Sequence, residues 1–492
     1  MSSEQSLSLG ERVAPARRAR LLLLAALGGL FGLSVTSEAA QAAPKSGDPL
    51  RALAARYHTP LESLSAIVQA VDAEKPLYQL NVRVPRNPAS TAKLITTFVA
   101  LDTLGPGHVW RTELHAMGKV SNGTLEGDLL IRGGGDPWLT EERFWTLLGQ
   151  LRARGVARIT GDLLIDGSRF APPARGPGDF DGQPWRLYNV MPHAALMNFK
   201  AVNLEFHPAP AGDRVDIRTT PALPGFTIEN RLRATQEPCR GIEAELRIEV
   251  PEPERADRIV VEGRYPLACG TQALLRTYLT PETYAHALFQ RLWAQWGGQF
   301  EGGVRSAVRP AGHPPFLVGE SAPLAELIRP LNKWSNNPMA DAVFLAIGAE
   351  PGTNGLSATR AEAAVHAYFR AHGLPADGLV LENGSGLSRH SRVSAASMGA
   401  LLRHAWHSRY MPEFVASLSI VGVDGTLRKR LTQPPERGWM HLKSGYIDKV
   451  SAVSGYVRAR SGKTYVVSFF LNGPSPAGRA LGDALLRWTW QH

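Results

Sequence analysis

Three short motifs place serine hydroxyls and lysine amines at spacings that suit nucleophilic catalysis. The first is Ser90-Thr-Ala-Lys93, the second is Ser335-Asn-Asn337 and the third is Lys443-Ser-Gly445. A serine hydroxyl is a weak nucleophile and needs a base in contact with it. The motifs therefore predict acyl transfer through a serine, with a lysine amine as the base.

The first motif has a physical basis of its own. Ser90 and Lys93 are separated by one turn of a predicted helix, so their side chains share a face. A lysine accepts a proton only if its pKa is lowered by burial or by a second cation, and Lys443 offers that second charge. Free backbone N–H groups at the helix N-terminus also suit an oxyanion. The alternative role for Ser90 is that of an ordinary helix N-cap.

The context of the motifs is more specific than each motif alone. Lys45-Ser-Gly47 is a second K-S-G match, but it lies in a linker ahead of the first predicted strand. In contrast, Ser90 follows a predicted β-hairpin at 65–80 and opens an amphipathic helix at 91–102. Ser335 precedes a further helix, and Lys443 lies on a predicted strand. The hypothesis of acyl transfer through Ser90 therefore depends on the order and setting of the three motifs.

The remaining pattern predicts an α+β fold. Hydrophobic residues make up 44% of the chain and charged residues 20%, as in a typical globular protein. Between 108 and 277, short strand-like runs alternate with loops, with one helix at 141–154. Further helices are predicted at 281–296, 322–329, 337–349 and 358–372. The C-terminal part predicts three adjacent antiparallel strands and a closing helix, at 441–447, 451–457, 464–471 and 477–490.

These elements indicate two structural regions after the N-terminal segment. Residues 46–107 and 278–492 are expected to form an antiparallel sheet flanked by helices, which carries the three motifs. Residues 108–277 are expected to form a large β-rich insertion of one or two subdomains.

The first 42 residues have the pattern of a secretory signal peptide. Basic residues between positions 12 and 20 precede an apolar run at 21–35, and small residues follow at 39–43. The run is shorter than the ~20 residues that span a bilayer, which disfavours the alternative of a membrane anchor. We therefore expect cleavage after Ala42, export to the periplasm, and no stable membrane span in the mature chain.

Export bears on the two cysteines, Cys239 and Cys269, because disulfides persist in oxidising compartments. A structural disulfide is favoured, and two buried free thiols are the alternative.

The net charge of +10 comes without a basic run that has interleaved aromatic residues, so no nucleic-acid partner is predicted. His193, His390 and His441 have no metal-ligand spacing, so neither a metal nor a cofactor is predicted.

In this order and context, the motifs resemble those of serine penicillin-recognising enzymes. The long insert between Lys93 and Ser335 is similar to that of the D-alanyl-D-alanine carboxypeptidase/endopeptidase family, the class C low-molecular-mass penicillin-binding proteins (peptidase S13-like). The resemblance implies a β-lactamase/transpeptidase-like domain. Other segments similar to that family are Gly133-Gly-Gly-Asp-Pro-Trp138, Asp166-Gly-Ser-Arg-Phe170, Tyr265-Pro-Leu-Ala-Cys-Gly270, Asn383-Gly-Ser-Gly-Leu-Ser-Arg-His390 and Val423-Asp-Gly-Thr-Leu-Arg428.

The resemblance also implies roles for the first two motifs. Ser90 would attack the carbonyl of the D-Ala-D-Ala bond in peptidoglycan stem peptides, and Lys93 would take its proton. Ser335 would relay a proton toward the leaving amine, while Asn337 would hold the peptide of the substrate. β-Lactam antibiotics would act as inhibitors by acylating Ser90.

The third motif departs from the family pattern. The family usually has Thr in the middle of this motif and a small polar residue after its glycine, whereas this chain has Ser444 and Tyr446 around Gly445. Lys443 and Ser444 would meet the terminal carboxylate, and the N–H groups of Ser90 and Tyr446 would form the oxyanion hole. The hydroxyl and the backbone N–H are retained, so we expect the chemistry to survive, with the Tyr446 ring narrowing the cleft.

Three further residues match family positions that line a pocket for the diaminopimelate side chain of the stem peptide. They are Asp166, Phe170 and Arg389. An acidic residue that faces a free amino group is chemically reasonable, but Asp166-Gly also reads as a turn and Phe170 as a core residue.

Two other functions remain in competition with the peptidase. One is a β-lactamase-like serine hydrolase of the same fold, and the other is a non-catalytic protein that binds peptidoglycan. The sequence also leaves open the balance between carboxypeptidase and endopeptidase activity, and whether the chain forms a homodimer.

Overall fold

The computed structural model describes residues 47–209, 212, 214–350 and 353–492. The predicted signal peptide lies outside these residues. Helices are α1 (Arg51–Arg56), α2 (Ala92–Leu104), α3 (Glu141–Ala153), α4 (Pro281–Gln295), α5 (Leu324–Trp334), α6 (Asn337–Ile347), α7 (Ala358–Ala371), α8 (Ala395–Trp406), α9 (Met411–Ser417) and α10 (Gly478–Gln491). Within this part of the chain, none of the helices is both long and apolar enough to cross a membrane.

The strands fall into two groups along the chain. Those that precede or follow the long insert are β1 (Leu64–Ala70), β2 (Tyr78–Leu80), β16 (Ser419–Ile420), β17 (Met440–Ile447), β18 (Val450–Arg458) and β19 (Thr464–Asn472). Those in between are β3 (Arg111–Ser121), β4 (Thr124–Arg132), β5 (Arg158–Ile159), β6 (Leu163–Asp166), β7 (Val202–Pro208), β8 (Val215–Thr220), β9 (Thr227–Thr235), β10 (Leu246–Glu249), β11 (Arg258–Pro266), β12 (Gln272–Arg276), β13 (Gln299–Phe300), β14 (Val304–Ser306) and β15 (Leu317–Glu320).

A six-stranded antiparallel sheet carries the third motif. Its order is β16-β17-β18-β19-β1-β2, so strands from both ends of the described chain meet at its centre. Side chains alternate across a strand. Ile67 and Phe470 therefore pack on the layer formed by α2 and α5 to α9, whereas Val68 and Phe469 pack on α1 and α10. This arrangement confirms the predicted antiparallel sheet with helices on its faces.

Most of the predicted elements of this region are confirmed, including the β-hairpin, the helix after Ser90 and the three C-terminal strands. Helices α1, α8 and α9 were not predicted. Gly399 in α8 packs directly against the sheet, and a Cβ added there would lie 3.0 Å from Ile67 Cγ2. A glycine at a buried position removes the apolar side chain that a periodicity argument needs.

The long insert has a separate hydrophobic core. It contains a seven-stranded sheet, in which β13-β5-β4-β3-β15 is extended by β6 and β14, and two three-stranded sheets, β10-β11-β9 and β12-β7-β8. Its buried residues run from Leu114 to Leu317 and include those of α3 and α4. The chain thus leaves this core after β15, beyond the boundary at 277 expected from the sequence. The difference arises because α4 buries its apolar face against the insert, so we propose 108–320 as the inserted region.

The two cysteines are paired in a disulfide between Cys239 and Cys269. The prediction of a structural disulfide is therefore confirmed, and the alternative of two free thiols is wrong. Cys269 ends the turn that follows β11 and is buried in the core of the insert, so the bridge ties the segment before β10 to that core.

Candidate active site

Ser90 lies in a tight turn that leads directly into α2. Ala89, the residue before it, has a φ of +44°, which is unusual for a residue with a side chain. Two hydrogen bonds hold this turn: Ala89 N donates to Asn87 Oδ1 at 2.9 Å, and Thr91 Oγ1 donates to the Pro88 carbonyl at 2.7 Å. The backbone therefore fixes the position of the Ser90 hydroxyl at the start of the helix.

Lys93 brings the first two motifs together. Its Nζ lies 3.0 Å from Ser90 Oγ, 2.7 Å from Asn337 Oδ1 and 2.6 Å from the Ser385 carbonyl. A neutral amine has two N–H donors and one lone pair. It can donate to Asn337 and to Ser385 while its lone pair faces the Ser90 hydroxyl, which is the arrangement that a general base requires.

The electrostatic environment favours that neutral amine. Lys93 is fully buried, and its burial lowers the pKa of the ammonium to about 7. The carboxylate of Asp341 opposes this effect. Asp341 is itself buried, which raises the pKa of its carboxyl, while Lys93 acts in the other direction. Its Oδ1 accepts a 2.8 Å hydrogen bond from Ser385 N, so the residue that contacts Lys93 is held by the same carboxylate.

The second pair of hydroxyl and amine groups comes from the second and third motifs. Lys443 Nζ donates to Ser335 Oγ at 2.8 Å and to the Ser444 carbonyl at 2.8 Å. Ser335 follows the last residue of α5 in the left-handed region, with a φ of +58°. Burial, and then the charge of Lys93, lower the pKa of Lys443 well below its ordinary value. The charge of Lys93 therefore acts on Lys443, whereas the pKa of Lys93 is lowered by burial and not by the second cation that the sequence suggested.

Gly445 explains why the third motif contains a glycine. A Cβ added to this residue would lie 2.7 Å from the Pro88 carbonyl oxygen and 2.9 Å from Ser90 N. Cβ atoms in folded proteins essentially never come so close to other heavy atoms. Strand β17 therefore passes directly against the turn of Ser90, and this approach places the backbone of the third motif beside the nucleophile.

The neighbours of Gly445 lie at the edge of the site. Ser444 Oγ is 3.3 Å from Thr426 Oγ1, and the side chain of Tyr446 is 80% exposed. Arg389 stacks its guanidinium 4.5 Å from the centre of the Phe180 ring, which packs against a small apolar cluster that includes Ala89. Arg389 is thus close to the turn of Ser90.

Asp166 and Phe170 occupy a different setting. The Asp166 carboxylate is fully buried and accepts hydrogen bonds from the backbone N–H groups of Ser168 at 2.9 Å and Arg309 at 2.8 Å. Its Oδ2 also lies 3.7 Å from Arg132 Nε. Phe170 packs in a small core with residues of α6. Both side chains match the alternative roles, a turn and a core residue, and their role in a substrate pocket stays a prediction.

The comparison with known proteins identifies the family. The D-Ala-D-Ala carboxypeptidase 3 (S13) family matches residues 50–491. The chain belongs to this family. Among its relatives, a D-alanyl-D-alanine carboxypeptidase of Actinomadura sp. (strain R39) is 30% identical over 418 residues, which are 81% of this chain and 76% of the relative. DacB of Haemophilus influenzae is 27% identical over 391 residues, 79% and 80% of the two chains.

Solved structures agree with the S13 assignment at the level of the fold. Penicillin binding protein 4 (dacB) from Haemophilus influenzae superposes with a TM-score of 0.74 and 24% identity, over 87% of this chain and 96% of that chain. The same protein has a crystal structure in complex with a novel β-lactam, with a TM-score of 0.71 to this chain. The resemblance and the fold class inferred from the motifs are therefore confirmed.

In this S13 chain, three groups near the motifs were not predicted as part of the site. Asp341 follows Asn337 by one helical turn on α6, and this i,i+4 spacing is a signal that could have identified it. Ser385 contacts Lys93 through its backbone carbonyl. The Tyr188 carbonyl, from the insert, accepts a 3.0 Å hydrogen bond from Asn337 Nδ2. Backbone carbonyls belong to every residue, so no residue type in the sequence indicates these two contacts.

Proposed function

We propose that this protein is a serine D-Ala-D-Ala carboxypeptidase, with DD-endopeptidase activity on crosslinked stem peptides, which acts through an acyl-enzyme on Ser90. The observation that carries the proposal is the 3.0 Å contact between Ser90 Oγ and the buried amine of Lys93. A hydroxyl beside a base of lowered pKa is an activated nucleophile. Membership of the S13 family supports the substrate class.

In the acylation step, the Ser90 oxygen attacks the carbonyl carbon of the D-Ala-D-Ala bond, and the Ser90 proton moves to Lys93 Nζ. The negative charge that develops on the carbonyl oxygen is stabilised by the backbone N–H groups of Ser90 and Tyr446. The C–N bond then breaks, and Ser335, hydrogen-bonded to Lys443, delivers a proton to the leaving amine. The product is an ester between Ser90 and the stem peptide, plus free D-Ala or a released crosslinking peptide.

In the deacylation step, water attacks the ester carbonyl carbon and gives up a proton to the same groups. The bond between that carbon and Ser90 Oγ breaks, Ser90 Oγ receives the proton, and the shortened stem peptide leaves as a carboxylate. Asn337, which contacts both Lys93 and the insert, would hold the amide of the substrate. Lys443 and Ser444 would bind its terminal carboxylate, because a cation and a hydroxyl on one strand are suited to a carboxylate. A β-lactam ring presents a similar carbonyl and carboxylate, so β-lactams should acylate Ser90 and block it.

The compartment is part of the proposal. The disulfide between Cys239 and Cys269 suits an oxidising environment, and the N-terminal residues have the composition of an export signal. We therefore propose export to the periplasm, where peptidoglycan stem peptides are available as substrate.

The proposal is tested with fluorescent penicillin and with a muropeptide that carries a pentapeptide stem. The mature protein should become labelled and release D-Ala, whereas Ser90→Ala and Lys93→Ala variants should lose at least about 1,000-fold in both reactions, as for the removal of a nucleophile or its base. Ser461→Ala changes an exposed serine and is the matched control. Unchanged labelling of the Ser90→Ala variant would overturn the proposal.

The same experiment separates the competing functions. A DD-peptidase should remain acylated by penicillin for many turnover times of its peptide substrate. A β-lactamase-like hydrolase would instead lose the label rapidly and produce hydrolysed antibiotic. A non-catalytic binding protein would retain the muropeptide without release of D-Ala.

A further inference from the structure

A cluster of metal-ligating side chains lies outside the active site, at the opposite end of α2. It consists of Asp102, His372 and His404, which we call the α2 end cluster. Each residue offers one ligand atom, and these atoms all lie within 4.8 Å of one another. Asp102 follows Lys93 by about 14 Å along the helix axis, so the cluster is separate from the catalytic groups. No motif indicates it in the sequence, because Asp102 lies in α2, His404 in α8, and His372 just after α7.

Tyr368 orients all three members of the cluster. Its hydroxyl donates to Asp102 Oδ2 at 2.7 Å and lies 3.1 Å from His404 Nε2. Its backbone carbonyl is 2.9 Å from His372 Nδ1. A carbonyl only accepts hydrogen bonds, so Nδ1 of His372 carries the proton and Nε2 keeps its lone pair. Metal-binding histidines are commonly held in this way by a second hydrogen bond.

The backbone also favours a cation at this place. Asp102 lies in the last turn of α2, His404 in the last turn of α8, and His372 follows the last residue of α7. Helix C-termini carry partial negative charge, and here three of them converge.

We propose that the α2 end cluster binds a divalent transition-metal ion of the zinc type, with water completing the coordination. Two imidazoles and one carboxylate form a set of nitrogen and oxygen donors that suits Zn²⁺, whereas Ca²⁺ and Mg²⁺ prefer oxygen ligands only. His372 is exposed, so the ion can enter from solvent. Side-chain rotations bring the ligand atoms about 1 Å closer, since ligands 2.0–2.2 Å from a tetrahedral zinc lie roughly 3.5 Å apart.

Such an ion would connect the ends of α2, α7 and α8. It takes no part in the chemistry at Ser90, and the inference is independent of the proposed peptidase activity. Binding to the folded state alone would stabilise this helical layer.

The test uses the full mature protein after treatment with a chelator. Zn²⁺ is titrated by calorimetry and Co²⁺ by the visible absorption of the bound ion. Wild-type protein should bind both ions and should unfold at a higher temperature with Zn²⁺. His372→Ala and Asp102→Asn should each weaken binding at least about tenfold. His366→Ala removes a histidine of α7 outside the cluster and should bind as wild type does.

Labelling by fluorescent penicillin reports whether each variant is folded. His372 is exposed, so its replacement should leave labelling unchanged even if Asp102→Asn, which alters the hydrogen bond of Tyr368, impairs folding. The proposal is overturned if wild-type protein shows no Zn²⁺ or Co²⁺ binding, or if His372→Ala binds both ions as tightly as wild type does.

Discussion

At the scale of single residues, two opposing effects determine the pKa of Lys93. Its complete burial disfavours the charged ammonium, while the Asp341 carboxylate favours it. The first effect makes the amine a base near neutral pH, and the second prevents a further fall of its pKa. The balance matters because an amine that is too weakly basic would accept the Ser90 proton less readily.

The pH dependence of acylation should report this balance. The acylation rate should rise with pH and reach half of its plateau near pH 7, because only the unprotonated Lys93 can accept the Ser90 proton. Asp341→Asn keeps an oxygen for the Ser385 N–H but removes the charge that raises the pKa of Lys93. Its midpoint should therefore lie at lower pH, measured as the rate of penicillin labelling against pH. Asp377→Asn, at an exposed position, is the control, and a midpoint that moves upward in Asp341→Asn would contradict this account.

Gly445→Ala tests the close approach of β17 to the turn of Ser90. The added methyl group would lie 2.7 Å from the Pro88 carbonyl, so either the strand or the turn must shift. A displacement of about 1 Å in an active site can reduce the rate by a factor of about 100. We expect a loss of this size in penicillin acylation, measured by stopped-flow fluorescence.

A matched control for this change is Gly107→Ala, where an added Cβ has no heavy atom within 4 Å. It should acylate at the wild-type rate. If Gly445→Ala were equally active, the contact between β17 and the turn of Ser90 would not be required for catalysis.

At the scale of elements, helices and strands are predicted best from the sequence where their buried residues recur with a simple period. Strands β18 and β19 are buried on both faces and read as apolar runs. The apolar period also identified α2, which was predicted to be buried on one face, but all of its residues from Ala92 to Leu101 are buried. The same reasoning fails for α8, where Gly399 occupies a packed position. The C-terminal boundary of the insert stays a proposal: the buried residues of α4 lie in the core of the insert, so we place that boundary after β15 and not at 277.

The residues of the candidate site also fall into those that the sequence could predict and those that it could not. The residues with characteristic side chains, Ser90, Lys93 and Lys443, were identifiable because nucleophile and amine chemistry restrict the residue type. Ser385 and Tyr188 contribute backbone carbonyls, which any residue would supply. Asp166 has the residue type expected in a pocket for an amino group. In the folded chain, however, its carboxylate accepts hydrogen bonds from the backbone N–H groups of Ser168 and Arg309, and the residue type alone does not indicate these contacts.

The disulfide should contribute to the stability of the insert and leave the chemistry unaffected. It joins residues 30 positions apart, and closing a loop of that length stabilises a protein by about 3–4 kcal/mol in the chain-entropy model. The double variant Cys239→Ser/Cys269→Ser should therefore lose about that much unfolding free energy in denaturant and become more sensitive to protease between 236 and 271. Its penicillin acylation at 25 °C should equal that of wild type, and slower acylation would show that the bridge supports the site.

At the scale of the whole molecule, the described chain has separate cores for the insert and for the sheet that carries the motifs. Phe289 in α4 and Phe98 in α2 are equally and completely buried, one in each core. This pair offers a comparison in which the substitution is the same and only the location differs.

Phe289→Ala and Phe98→Ala should each cost about 3–5 kcal/mol of unfolding free energy, because each removes a buried aromatic ring. Calorimetry should show the transition of the insert at lower temperature for Phe289→Ala, with acylation retained below that transition. Phe98→Ala should reduce acylation as well, since Phe98 belongs to α2, the helix that carries Lys93. An equal loss of acylation in both variants would indicate that the two regions unfold as one unit.

The hydrogen bond from Asn337 to the Tyr188 carbonyl bears on attempts to miniaturise the enzyme. A shortened version, in which a brief linker replaces the insert, would keep every side chain of the three motifs. It would nevertheless deprive the Asn337 amide of an acceptor on one side while the other side still contacts the base. A designer who trims the protein must therefore retain the segment around Tyr188 or supply a substitute carbonyl, and otherwise obtains a smaller but poorly aligned catalyst.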